Sequence, residues 1–185
     1  IVQLYKIDNI SIIDTIIRIF SENPGQIVDI TQLAGELNIS RQTLSNYLTY
    51  LEDSFLIKKL YNFSKSIRKV ERKLKKFYPA VISTNLLFAE DILSKSKVFE
   101  WLLVSQIEAD FFWRDPYKNE VDIIKDGSIP IEVKYGKIET EGILSFMKKM
   151  KINKGIIISL EKEDIIKIEG FTIKVIPAFR FLLEQ

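Results

Sequence analysis

The chain has 185 residues, of which 46% are apolar, and its 27 Lys and Arg against 25 Asp and Glu leave a net charge of +2. That length fits one large domain or two small ones, and a nearly balanced charge does not by itself announce nucleic acid. Neither Cys nor His occurs. This excludes disulfides, thiolate catalysis, Cys zinc sites and every Ser-His-Asp, Cys-His or HExxH chemistry within the chain. What remains for catalysis is carboxylates, Lys, Tyr or a hard metal ion bound through oxygen. No apolar run reaches the ~18 residues that a membrane-spanning helix needs. The first residues lack the basic, apolar and small-residue order of a signal peptide. A cytoplasmic protein with no membrane partner is expected. Gly136-Lys137 is followed by Ile138, so no P-loop and no ATP site are expected in this chain.

In chain order, residues 1–22 read as a helix, with Ile10, Ile13, Ile16, Ile17 and Phe20 at helical spacing, closed by Asn23-Pro24-Gly25. Val28-Asp29-Ile30 reads as a short extended piece. Residues 31–37 read as a helix burying Leu33, Ala34 and Leu37, and Asn38-Ile39 as a tight turn. Ser40 is a good N-cap for a second helix from Arg41 to about Asp53, burying Leu44, Tyr47 or Leu48, and Leu51. Its first turns offer Arg41, Gln42, Ser45, Asn46 and Thr49 outward, which is the layout of a helix-turn-helix. Arg, Gln and Asn are the side chains best suited to bidentate base contacts.

A strand is expected over 55–61 and another over 74–81. Between and around them lies a basic stretch containing Lys58, Lys59, Lys65, Arg68, Lys69, Arg72, Lys73, Lys75 and Lys76 against a single acid, Glu71. Helix, helix, strand, basic loop and strand resemble a winged helix, with the wing near 64–73. The basic stretch is then a phosphate contact, with a solvated face and a protein-binding face as the alternatives. A boundary at Ser83-Thr84-Asn85 divides the chain into residues 1–82 and 83–185.

The second part reads as helix (86–93), helix (98–109, with Phe99, Leu102, Leu103 and Ile107 inward), and strands over 111–114, 120–124 and 129–134. A helix (140–150), strands at 155–160 and 171–176 and a short closing helix follow. The expected fold class is therefore α/β (α+β): a winged helix-turn-helix followed by a mixed sheet flanked by helices, in the order of the restriction-endonuclease-like core.

The chemistry concentrates in Asn119-Glu120-Val121-Asp122 and Pro130-Ile131-Glu132-Val133-Lys134. If Asp126-Gly127-Ser128 forms the turn, Lys125 pairs with Ile129 and Asp122 falls opposite Glu132. Two acids and an ammonium then meet within a few ångströms. Paired carboxylates repel unless something compensates, and a divalent cation is the usual answer. Lys134 would then hold a water or a developing phosphate charge. The alternative is a surface hairpin carrying an Asp/Lys/Glu ladder.

D-x(n)-E-x-K resembles the signature of the PD-(D/E)XK nucleases. An ordered set extends the likeness: Lys75-Lys76-Phe77-Tyr78, Val98-Phe99-Glu100-Trp101-Leu102-Leu103, Phe112-Trp113-Arg114, Glu120-Val121-Asp122, Ile131-Glu132-Val133-Lys134-Tyr135-Gly136 and Val175-Ile176-Pro177-Ala178-Phe179. Together these resemble the C-terminal region of prokaryotic, largely archaeal AAA-type ATPases. That region carries a winged helix and a domain of unknown function (DUF4143) related to PD-(D/E)XK nucleases. The resemblance implies Asp122 and Glu132 as acids for Mg2+ or Mn2+, Lys134 as the catalytic lysine and Glu100 as a further acid near the metal. For Glu100 the alternative is a helix-surface pair with Arg114 or Lys118. Val121 stands where the superfamily has Pro. The partners implied are DNA, an ATPase module absent from this chain and a second copy in a homodimer.

Three functions follow as expectations: a DNA-binding, metal-dependent nuclease; a non-catalytic DNA- or protein-binding regulatory module on an inactive nuclease-like scaffold; and a sequence-specific transcription regulator, which leaves the acid pair unexplained.

Overall fold

A computed structural model describes residues 9–66 and 74–184. Residues Arg68, Lys69, Arg72 and Lys73 of the expected wing lie outside the described residues.

The first part runs α1 (Ile10–Glu22), β1 (Gln26–Val28), α2 (Ile30–Glu36), α3 (Arg41–Asp53), β2 (Ile57–Asn62) and β3 (Lys75–Pro79). Asp29, read above as extended, instead caps α2, its carboxylate accepting from the N–H groups of Thr31 and Gln32. The extended piece shifts to Gln26–Val28, where it pairs antiparallel with β3. Ser40 caps α3 through Thr43 N–H, as its position suggests. The helices close over Phe77 and Ile57 of the sheet. Phe20 stacks on Phe77 with 4.9 Å between ring centroids, and Ile16, Leu44 and Leu51 are fully buried around them.

The second part runs α4 (Thr84–Leu87), α5 (Ile92–Gln106), β4 (Phe111–Arg114), β5 (Glu120–Lys125), β6 (Ile129–Lys134), α6 (Glu141–Met150), β7 (Lys154–Ser159), β8 (Asp164–Ile168), β9 (Phe171–Pro177) and α7 (Ala178–Leu183). Several boundaries differ from the sequence reading, the helix expected over 98–109 running instead over Ile92–Gln106. The helix expected over 86–93 is a single turn, because Asp91 starts a new helix by capping Ser94 N–H. Strand β8 was not expected; its residues are largely exposed, so it lacks the apolar alternation that marks a half-buried strand.

The nine strands of the described residues form one mixed sheet in the order β1-β3-β2-β4-β5-β6-β7-β9-β8. The two parts are joined by parallel pairing of β2 with β4, Tyr61 against Phe111 and Asn62 against Phe112. The Asn62 side chain adds one more rung: it accepts from Arg114 N–H at 3.1 Å and donates to Arg114 C=O at 3.0 Å. Helix α5 packs on one face with Phe112, Ile123, Ile131 and Val133. Helix α6 packs on the other with Trp113, Val121, Ile124 and Ile157. No helix among the described residues is long and apolar enough to cross a membrane.

Candidate functional site

The β5–β6 hairpin has the expected register, Lys125 with Ile129 and Ile123 with Ile131, around a turn in which Asp126 and Gly127 both have positive φ. One feature was not legible. Between β4 and β5 the register slips, so that Phe111 pairs with Ile124 but Trp113 pairs with Val121. The extra residue on β5 is a bulge at Asp122-Ile123. It separates Val121 and Ile124, both in the α6-side core, from Ile123, in the α5-side core. The bulge turns the Asp122 carboxylate out of simple opposition to Glu132. Its Oδ2 accepts from Val133 N–H at 2.9 Å, and its Oδ1 lies 3.0 Å from the ammonium of Lys76.

The expected cluster therefore divides into two linked groups. In the first, Lys76 Nζ sits 2.8 Å from Glu100 Oε1, 2.7 Å from Glu120 Oε1 and 3.0 Å from Asp122 Oδ1, with only 3% of its side chain exposed. Tyr78 donates its hydroxyl to Glu100 Oε1 at 2.6 Å, and Arg114 approaches the other oxygen of Glu120 at 3.6 Å. In the second group, Lys134 pairs with Glu132 Oε1 at 2.6 Å. Ile131 and Val133 belong to the α5 side, so alternation sends Glu132 towards α6. There its Oε2 is buried and makes no hydrogen bond. A Cβ placed on Gly142, in the first turn of α6, would lie 3.4 Å from that oxygen and 2.2 Å from Glu120 C=O. The absence of a side chain at Gly142 is what lets α6 come this close.

The electrostatics follow from burial. For Lys76, desolvation works against the charge, but Glu100, Tyr78, Asp122 and Glu120 more than offset it and hold its pKa well above the ordinary lysine value. Burial and the charge of Asp122 raise the Glu100 carboxyl, with Lys76 pulling it back. Burial and Glu100 together push the Tyr78 hydroxyl well up, so it stays a donor. Burial pushes Glu132 up to about 7, against the pull of Lys134, with Asp122 adding to the rise. The N–H of Ile143 on α6 also pulls downward without completing a bond to Oε2. Lys134 loses to burial but gains more from Glu132, and its pKa is raised.

Sequence reasoning placed Asp122, Glu132, Lys134 and Glu100 in one neighbourhood; the structure joins Glu100 and Asp122 through Lys76 and pairs Glu132 with Lys134 apart from them. Glu100 pairs with Lys76 rather than with Arg114 or Lys118. Sequence reasoning missed the roles of Lys76, Glu120 and Tyr78. The one local signal was strand parity, which puts Lys76 and Tyr78 on a common face of β3; nothing local joins β3 to β5. As a test of fit to a divalent ion, three carboxylates converge and a fourth, Glu132, has a buried oxygen without a partner. All are hard oxygen donors suited to Mg2+ or Mn2+. Yet among the described residues no three acids stand as an open cage, since the three that converge do so on the ammonium of Lys76.

The candidate nucleic-acid residues gather elsewhere. Arg41, Gln42 and Asn46 are exposed on the first turns of α3, with Gln42 donating to Asn46 Oδ1 at 2.9 Å. Ser45 is partly buried, and Lys65 is exposed beyond β2. Beside α3 lies a cleft of about 260 Å³ to which Arg41, Ser45, Thr49, Lys59 and Lys75 contribute.

A domain family of unknown function (DUF8612) matches residues 1–80, the stretch from α1 through β3. No curated protein and no solved structure matches the chain.

Proposed function

We propose that this protein binds DNA through its first part and carries in its second a Mg2+- or Mn2+-dependent nuclease site of the PD-(D/E)XK type. The observation that carries the reading is the set Asp122, Glu132 and Lys134 on adjoining strands, with Glu132 Oε2 buried and unpartnered. The strand order β4-β5-β6-β7, with α5 before it and α6 crossing from β6 to the parallel β7, supports it. A bound divalent ion would supply Lewis acidity towards the scissile phosphate and a more acidic attacking water. Asp122, Glu132 and Glu100 are the residues that would hold it. Lys134, paired with Glu132, would orient water or meet phosphate charge.

For the first part, the order α1-β1-α2-α3-β2-β3 with antiparallel β1–β3 and β2–β3 supports a winged helix. Arg41, Gln42, Ser45 and Asn46 on α3 would meet the duplex. Lys65, Arg68, Lys69, Arg72 and Lys73 would contact phosphate. A cytoplasmic setting, an associated ATPase module and a homodimer belong to the same proposal.

The test is cleavage of supercoiled, linear and branched DNA with Mg2+ or Mn2+, run beside Asp122→Asn and Lys134→Ala. Metal-dependent cutting by the wild type that both folded variants lack is the expected result. A second reading, a non-catalytic DNA-binding module on a nuclease-like scaffold, is favoured by one observation: Lys76 already neutralises the converging acids. Salt-dependent DNA binding with no cutting of any substrate would select it.

A further inference from the structure

We propose that the basic cleft between β2, β4 and the end of α6 binds single-stranded nucleic acid, its cations meeting the phosphates and Tyr117 stacking on a base. The inference deepens the DNA-binding reading above, on which it rests for the polyanion, and adds a second surface away from α3.

The cleft has a volume of about 860 Å³ and draws its walls from both parts of the chain. Asn62 and Lys65 come from the first part, and Trp113, Arg114, Lys118 and Lys149 from the second. Four of the lining side chains are cations and one, Asp115, is an acid. The whole chain carries only +2, so this excess is a local concentration of charge and not a consequence of composition. The acid is already occupied. Asp115 Oδ1 accepts from the N–H groups of Tyr117 and Asn119 at 2.8 and 2.9 Å, and its Oδ2 from the Asn119 side chain at 2.9 Å. Among the described residues, Lys65, Lys118 and Lys149 take part in no ion pair. Arg114 has Glu120 at 3.6 Å, an acid that Lys76 already holds at its other oxygen. Lys149 stands over the buried Trp113 ring, 5.4 Å from its centroid. An aromatic ring fixes a cation there without neutralising it.

The turn joining β4 to β5 points the same way. Lys118 has a φ of 68°, a left-handed conformation uncommon for a residue with a side chain. The Asp115 bonds hold it there, together with Lys118 N–H donating to Asp115 C=O at 3.1 Å. Strain of that kind persists only where the surroundings over-determine it. The ordered turn carries Tyr117, between the lining residues Pro116 and Lys118, with 87% of it exposed. A ring so exposed packs on little and offers a π-face, which every base can meet. A positive groove beside an aromatic platform suits a single strand, whose phosphates and unpaired bases are both within reach. The volume lies within the roughly 300–1,000 Å³ of small-molecule sites, room for a strand and not for a duplex.

The experiment is fluorescence anisotropy of the full chain with a labelled oligothymidine of about 12 nucleotides and with a duplex of the same length, over a salt series. The variants are Lys118→Glu with Lys149→Glu, Tyr117→Ala and Tyr117→Phe. The control, Lys95→Glu with Lys162→Glu, changes net charge equally outside the cleft. All the altered side chains are exposed, and circular dichroism checks folding. The cleft pair is expected to weaken single-strand binding about tenfold or more beyond the control, and to flatten the salt dependence by roughly 0.7 per lost phosphate contact. Duplex affinity is expected to follow the control. Tyr117→Ala is expected to weaken single-strand binding about fivefold or more, and Tyr117→Phe, which keeps the ring, to retain it. Single-strand affinity that the cleft pair lowers no more than the control, or that Tyr117→Ala leaves unchanged, overturns the proposal, as does an equal loss on the duplex. Loss of duplex binding in Arg41→Ala would then leave the α3 reading standing. Binding of neither oligonucleotide by the wild type overturns both.

Discussion

At the scale of single residues, the buried acid of β6 contributes a pH dependence of its own. Glu132 titrates at about 7 in the folded chain, above the 4.5 of an unperturbed glutamate. Between those values the folded state holds a proton that the unfolded state has released, so stability falls as pH rises through the window. In chelator, the Glu132 contribution is complete below about pH 4.5 and lost above about pH 7, a change of about 3 kcal/mol at most. Urea unfolding of wild type and Glu132→Gln should show a stability difference that shifts in the variant's favour across this range. A difference constant with pH would remove Glu132 as its source. Two glycines make an opposed pair. Gly142→Ala forces a Cβ to 2.2 Å from Glu120 C=O, a backbone atom that cannot swing away, and is expected to cost about 1–3 kcal/mol. Gly35→Ala, inside α2 with nothing within 4 Å of the new Cβ, is expected to gain up to ~1 kcal/mol from helix propensity. Thermal unfolding reads both signs.

At the scale of elements, capping and bulging do different work. The α2–α3 pair is set by local chemistry: Asp29 and Ser40 each accept from N–H groups that would otherwise lack partners. Asp29→Ala is expected to cost about 1 kcal/mol and to loosen the first turn of α2. Amide exchange in residues 31–36 would report it as faster opening. The second helix of this pair could be placed from Arg41 to about Asp53 on the Ser40 cap and the spacing of Leu44, Tyr47 or Leu48, and Leu51. The bulge in β5 has no such signature. Val121-Asp122-Ile123-Ile124 reads as a run too apolar for alternation to assign faces, and only the fit against β4 shows where the extra residue goes. That bulge, and not the D-to-E spacing, is what turns Asp122 to Lys76.

At the scale of the whole molecule, one sheet crosses the division at residues 82 and 83. Tyr61 and Asn62 pair with β4, Tyr61 N–H reaches Asp110 C=O at 2.7 Å, and the amide of Asn62 closes a further rung on Arg114. The two parts are therefore expected to unfold in a single calorimetric transition, and two separated transitions would show them to be independent. Asn62→Leu removes both side-chain partners of a partly buried Arg114 peptide. It is expected to cost about 1–3 kcal/mol through unsatisfied backbone groups. The Lys76 contacts cross the same division, so separating the parts would also dissolve the acid cluster.

The amino-acid sequence alone excluded chemistries that need His or Cys within this chain, because it contains neither. It also determined the elements whose apolar period or caps are strong: α1, α3, α5 from Phe99 onward, β6 and α6. The register of the β5–β6 hairpin was legible too, since a turn of Asp-Gly type fixes pairing locally. The tertiary structure alone decided that Lys76, Glu120 and Tyr78 belong to the site, that Asp122 and Glu132 diverge at a bulge, and that β8 exists. Each of these depends on contacts between residues far apart in the chain, and one residue's propensity carries no information about which distant partner will compensate its charge.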